Sequence, residues 1–516
     1  MRALRDPAAR TPLLVLLAVT CLTAYSSYAY FHLDEYMQIV EPALRKLGLA
    51  PDTPQPWEYG ARMRAWLQPA LYVASSRVLA AVGVRDVFSL TFCWRLLSGV
   101  AGWAALCALL GVSLRWFERE EDRRAHARVA ALLGFLPYLL VRTSQEALSA
   151  AAFTFAFAVV LEGVDPSGTR IGQGERASAG PSWRFLLAGV LCGLAFELRF
   201  QTAFLTIGLF AWLRVMGRAP WRRMATFAAG ALAAGVAALP IDRWGYGEWV
   251  LPPVEYVRAN LIDSVAVLFG DEPPFAYFYL TPANIFFPVV ALLLMALLVA
   301  WWRHPRHAVT WTTAPFFVIH SLVAHKEERF LFPMVLLATT FPAMALAPGY
   351  GRPLALVRWA RTRGAKIAAR ALAALNFGGM ALLAAYPLGW NHHVPFARFV
   401  HERIGDELHA YALEDIEVRK QPYGPRVYDL EKGPPERIAA ALQTGATREW
   451  LIADTPRLHT GEAAIDERCT LVYSEFPFWR SHWLTDVAAR GAESFNERTR
   501  PPLHPIRWRS LYRVQR

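Results

Sequence analysis

His32-Leu33-Asp34-Glu35-Tyr36-Met37-Gln38 stands directly behind an apolar run from Thr11 to Phe31, and its reading decides the fold. Carboxylates at the end of a hydrophobic segment are costly unless they face water or line a wet cavity. A second polar string, His325-Lys326-Glu327-Glu328-Arg329-Phe330, lies between two late apolar runs. Working outward, further apolar spans are predicted near 90–114, 127–141, 147–161, 185–197, 201–216, 224–241, 284–302, 309–324, 330–348 and 371–390, which makes about eleven. Several are shorter than the ~20 residues of a straight crossing, so broken helices are expected among them.

Composition agrees with a polytopic, all-α membrane protein. Hydrophobic residues make up 55% of the 516, charged residues only 19%, and mean hydropathy is positive. The net charge of +12 raises nucleic-acid binding as a possibility. Its arginines, however, cluster in short loops between apolar runs, as in Arg119, Arg123, Arg124 and Arg128, or Arg218, Arg222 and Arg223. That is the pattern of cytoplasmic loops, and no nucleic-acid-binding motif competes with it. Only five lysines occur, and no Asn-x-Ser/Thr acceptor is present, which is compatible with a bacterial origin. The five cysteines form no CxxC pair and read as small buried hydrophobes.

With the arginine loops inside, the strings beginning at His32, Arg142, Arg199, Asp242 and His325 all fall on the opposite face. Residues 32–89 form a first outer loop with interfacial helices. Residues 1–390 are read as the membrane domain and 391–516 as a small outer α/β domain. The latter has a helix-like stretch at Pro395–Leu413 and strand-like runs at Glu449–Ala453, Thr470–Glu475 and Ser510–Val514. The polar loop at 164–183 is the one segment of low complexity.

Each string has a chemical and a structural reading. Asp34 or Glu35 can take a proton from a hydroxyl, or Asp34 can cap an interfacial helix. His325, Lys326 and Arg329 suit a phosphate, or they snorkel to the interface with Glu327 and Glu328 as partners. Arg199 interrupts an apolar stretch and must be paired or face water, and Glu197 is poorly placed to pair with it. Arg142, with Gln145 and Glu146, reads the same way, or as a side chain in open solvent. The aromatic residues of 242–249, Trp57, Tyr59 and Tyr277–Tyr279 suit sugar faces and the membrane interface alike.

In combination the strings resemble the glycosyltransferase family 22 mannosyltransferases, which include the enzymes of GPI-anchor and lipid-linked oligosaccharide assembly. The resemblance rests on His32–Gln38, Glu41-Pro42, Pro56–Tyr59, Arg64–Pro69, Leu198–Ala203, Asp242–Trp249, Phe275–Leu280 and His325–Pro333. It runs in order over roughly residues 10–350. Leu33 stands where the family usually has proline, and Arg142–Glu146 follows its pattern loosely.

The resemblance implies a GT-C membrane fold and an inverting transfer of mannose from a polyprenyl-phosphate donor. It implies Asp34 as base with Glu35 beside it. Substrate contacts are expected from His325, Lys326, Arg329, Arg199, Gln38, Trp57 and Tyr279, with the donor phosphate at the basic string across a gap the size of a sugar. No cofactor or metal is expected. The acceptor would be a glycan, a glycolipid or a protein. The site would face the periplasm or exterior from a bacterial inner membrane, or the lumen from an ER membrane. Two alternatives stand beside this: transfer of another prenyl-phosphate-linked sugar, and a lipid-linked glycan flippase. The flippase is disfavoured by the one-sided strings and the absence of an internal repeat.

Overall fold

The computed structural model describes residues 2–50, 55–164, 181–263, 265, 270–346, 362–386, 393–405, 407–413, 427–445, 447–476, 490 and 509–515. Among these, five helices are long and apolar enough to cross a membrane: Pro7–Ser26, Val87–Trp116, Gln145–Glu162, Trp221–Tyr246 and Arg363–Ala385. Shorter apolar helices lie at Phe200–Val215 and Val289–Arg303. Local chemistry sets several starts. Asp6 accepts from the Ala8 N–H at 3.0 Å, with Pro7 at the first helical position, and Asp86 accepts from Ser89 N at 2.8 Å.

The helices pack where small residues admit close approach. A Cβ on Gly189 would lie 2.0 Å from the Phe227 carbonyl oxygen, and one on Gly193 2.5 Å from that of Ala231. Helices 182–198 and 221–246 therefore touch backbone to backbone, the contact that stabilises helix pairs in lipid.

Two expected spans are broken. Residues 127–141 divide into Glu120–Ala131 and Leu136–Leu140 around Gly134. Residues 330–346 form a 3-10 helix, Glu328–Met334, then short turns at Val335–Ala338 and Phe341–Leu346. Pro333 within the 3-10 segment cannot donate a backbone hydrogen bond. Residues 347–348 and 387–390 of the expected spans lie outside the described residues, as does most of the loop at 164–183. Helix 182–198 ends at Arg199, whose backbone is extended, and the chain resumes at Ala203–Val215. This break holds the Arg199 string. The segment after the first long helix is a series of short helices ending in Leu67–Ala81, as expected.

The C-terminal part is a five-stranded mixed sheet of order β2-β1-β3-β5-β4. Its strands are β1 (Glu407–Leu413), β2 (Val427–Gly433), β3 (Trp450–Ala453), β4 (Cys469–Ser474) and β5 (Ser510–Val514). β1 runs parallel to β2 and β3, and β5 is antiparallel to β3 and β4. The expected helix at 395–413 is corrected here. Helix Val394–Arg403 stops, Gly405 takes a left-handed φ of 111°, and the rest becomes β1. One face of the sheet packs on Ile438, Ala439 and Leu442 of helix Pro435–Gly445, the other on Phe396 and Val400. Helix 394–403 also joins the membrane part, through Val394 in a cluster with Tyr30, Tyr36 and Trp94, and through His401 on Asp86 at 2.5 Å.

Candidate active site

The first polar string folds into a short turn because His32 caps it. Its Nδ1 accepts the Asp34 backbone N–H at 3.2 Å. Asp34 therefore does not act as the cap, and its side chain is free for other partners. Asp34 Oδ2 accepts from Arg329 Nη2 at 2.5 Å and from Gln38 Nε2 at 2.7 Å. Residues 295 positions apart in the chain thus meet in one ion pair.

Arg329 is gripped from its other side by Glu327, bonded to Nε, and His325 Nε2 lies 2.9 Å from the second Glu327 oxygen. Burial alone would raise the Asp34 carboxyl; Arg329 outweighs it and holds the group below its ordinary 3.8. Glu327 is likewise held low against burial, by His325 and Arg329. His32 is pushed down by burial and by Arg329.

Asp34 and Arg329 are not separated by the expected sugar-sized gap. The two are in contact, because a guanidinium 7% exposed needs carboxylate partners to offset the loss of water. Lys326 also differs from the expected phosphate grip. Its ammonium donates to the Glu272 carbonyl at 2.7 Å and the Val323 carbonyl at 2.5 Å, beyond the end of helix 308–322. Glu35 turns away from Asp34, as adjacent residues of a helical turn do. Its Oε1 accepts from Thr143 N at 2.5 Å and Oγ1 at 2.9 Å, and Oε2 accepts from Phe31 N.

Arg142 is fully buried, not solvent-exposed, and donates to the Ser27 and Ala29 carbonyls, bracing the chain just before His32. Arg199 finds its partner in Glu146, at 3.3 Å with both side chains almost wholly buried. Its guanidinium and that of Arg329 lie 5.4 and 5.6 Å from the Phe330 ring centroid. Trp57 and Tyr279 are each about half exposed.

Residues not singled out beforehand complete the site. Gln38 Nε2 also reaches Glu58 Oε1 at 3.0 Å, and Arg64 Nη2 donates to the same oxygen at 2.6 Å. Glu146 and Glu272 join as partners of the cations. Glu58, Arg64 and Glu146 were signalled by their polar strings; nothing local marked Glu272. A small apolar cavity of about 60 Å³ lies between Phe135, Ile285, Leu294, Leu331, Val335 and Phe341. Glu328, next to Arg329, is among its few polar lining residues.

Fold and site together define a helix-rich, multi-pass membrane protein with an acid–guanidinium centre at the end of its first span. Residues 11–390 match the Alg9-like mannosyltransferase family, and the chain belongs to that family. It is 25% identical over 325 residues to GPI alpha-1,2-mannosyltransferase 3 of Danio rerio, covering 61% of this chain and 55% of that one. It is 27% identical over 375 residues to GPI mannosyltransferase 3 of Aspergillus fumigatus, covering 64% and 47%. The chain thus spans about half the length of the curated relatives it matches. Among solved structures, ArnT from Cupriavidus metallidurans bound to undecaprenyl phosphate aligns with 98% of this chain and 97% of its own, at 12% identity and a TM-score of 0.49.

Proposed function

We propose that the protein is a membrane glycosyltransferase that moves mannose from a polyprenyl-phosphate carrier to an acceptor hydroxyl, with inversion at C1. The observation that carries this reading is the Asp34–Arg329 pair, which sets a carboxylate and a guanidinium at one point. Family membership supports the reaction class. Arg329, with its planar guanidinium, suits the donor phosphate.

The donor phosphate replaces the Asp34 carboxylate on Arg329. Asp34 then loses the cation that holds its pKa down and becomes a stronger base. It takes the proton of the acceptor hydroxyl as that oxygen bonds to C1. The bond from C1 to the phosphate oxygen breaks, and its electron pair leaves on the polyprenyl phosphate. Arg329 meets the charge that grows there. Glu35, bound to Thr143, keeps the turn in shape, and Arg142 does the same for the preceding residues. The site faces the outer side of the membrane, opposite the arginine loops.

The test is direct. Purified full-length protein is given polyprenyl-phosphate-mannose and a membrane extract, and products are identified by mass spectrometry. A mannosylated product made by the wild type and lost in Asp34→Asn is expected. Transfer that persists in Asp34→Asn rejects the assigned base, and transfer from a different prenyl-phosphate sugar alone rejects mannose.

A further inference from the structure

We infer that Gln38 is a positioning residue for the base, and not a contact to substrate. The inference rests on the reading of Asp34 just given. Gln38 follows Asp34 by four positions, in the widened turn Tyr36–Val40, so both side chains share a face. Its amide nitrogen spends both hydrogens on carboxylates, one on Asp34 Oδ2 and one on Glu58 Oε1. Arg64 fixes Glu58 from the far side, and the Tyr59 hydroxyl donates to the Gln38 carbonyl at 2.6 Å. Tyr59 is wedged against Trp66 and Tyr246. Gln38 is 2% exposed. Every link of this arm is buried and tied to the next, so the amide has one orientation.

The consequence appears when the donor arrives. Asp34 Oδ2 is held by two donors, Arg329 and Gln38. If phosphate draws Arg329 away, the Gln38 bond is what keeps the carboxylate from swinging. Oδ1 accepts no hydrogen bond among the described residues. His32 Nδ1 lies 3.7 Å from Oδ1, and its lone pair already takes the Asp34 N–H. Oδ1 is therefore the atom that receives the acceptor's proton, while Oδ2 stays anchored to Gln38. A carboxylate free to rotate would present either oxygen at varying distance, and misplacement of about 1 Å at a reacting group can cost about 100-fold.

The experiment compares Gln38→Met, which keeps the length and removes both N–H groups, with Gln38→Glu in the full-length protein. Readouts are transfer from polyprenyl-phosphate-mannose into a membrane extract across pH, and the affinity for polyprenyl phosphate alone. Gln38→Met is expected to lower kcat about 10- to 100-fold, with donor KM and polyprenyl phosphate affinity within about twofold of wild type. The acid limb of its kcat profile moves to higher pH, because the carboxylate has lost a donor. In Gln38→Glu the limb moves further the same way, through repulsion between carboxyl groups. A wild-type kcat and unmoved limb in Gln38→Met overturns the inference, and so does a loss of polyprenyl phosphate affinity in either variant. Failure here with an inactive Asp34→Asn removes the arm and leaves the base; transfer retained by Asp34→Asn removes the base itself.

Discussion

Replacing Asp34 by asparagine should stop transfer and at the same time tighten the grip on the lipid carrier. In the resting site Arg329 lies between two carboxylates, with Asp34 Oδ2 2.5 Å from Nη2 and Glu327 on Nε. A donor phosphate must displace Asp34 and then tolerate its charge nearby. A hydrogen bond to a charged group contributes about 1.5–3 kcal/mol net. Repulsion between two unit charges about 5 Å apart at an effective dielectric near 20 adds up to about 3 kcal/mol. Asp34 is 28% exposed, so solvent screens both terms and the low end applies. About 1.5 kcal/mol corresponds to roughly tenfold tighter binding in Asp34→Asn. The assay is thermophoretic or fluorescence titration of polyprenyl phosphate into purified protein, in the wild type, Asp34→Asn, Arg329→Met and the double variant. Arg329→Met should weaken binding, and the gain from Asp34→Asn should shrink in its presence, since the two effects share one guanidinium. Equal or weaker binding by Asp34→Asn, with Arg329→Met binding normally, would refute phosphate capture by Arg329.

The other predictions concern the frame of the site. Glu35→Gln weakens the bonds to Thr143 and Phe31. It should cost about 1–3 kcal/mol, read as a lower thermal midpoint, with the acid limb of the rate profile unmoved. Removing one member of the buried Arg199–Glu146 pair should cost about 3–5 kcal/mol, and Arg199→Met with Glu146→Leu should recover much of it. Thermal midpoints of the two single variants and the double variant close that cycle. Asp34 and Glu327 are held below their ordinary values of 3.8 and 4.5. Their contribution to stability is therefore complete above those values and is lost as pH falls through the lower folded ones. The thermal midpoint should drop below about pH 4, and less steeply in Glu327→Gln.

How far the sequence carries can be seen residue by residue. Asp34 and Arg329 could be placed on one face because charge at the ends of apolar runs is costly, and the arginine loops set the orientation. What the strings could not show is which charge is kept for backbone. Lys326 follows a helix whose final carbonyls have no partner of their own, so the ammonium satisfies Val323 and Glu272. Arg142 does the same for Ser27 and Ala29. Such demands arise only once distant segments meet. β1 was missed for a different reason. Ala410-Tyr411-Ala412-Leu413 is buried on both faces as a central strand, so it lacks the alternation that marks a half-exposed one.

The charges of the centre explain why Asp34, among several acids, suits the role of base. Glu327 pairs with Arg329, Glu58 with Arg64, and Glu146 with Arg199. Leaving the histidines aside, these pairs cancel; Glu35 is held by Thr143 and the Phe31 N–H, and Asp34 shares a guanidinium that Glu327 already holds. In the proposed transfer a donor phosphodiester brings a further negative charge next to Asp34, which favours a proton there. On the proposed mechanism the acceptor hydroxyl supplies that proton. As the C1–oxygen bond breaks, the leaving phosphate gains negative charge while Asp34 loses its own to the acceptor's hydrogen. The net charge within the pocket stays constant through the step, so the fixed ion pairs need not rearrange as it proceeds. On this reasoning Glu58 or Glu146 could not replace Asp34, because protonating either would leave a buried guanidinium without its counter-charge.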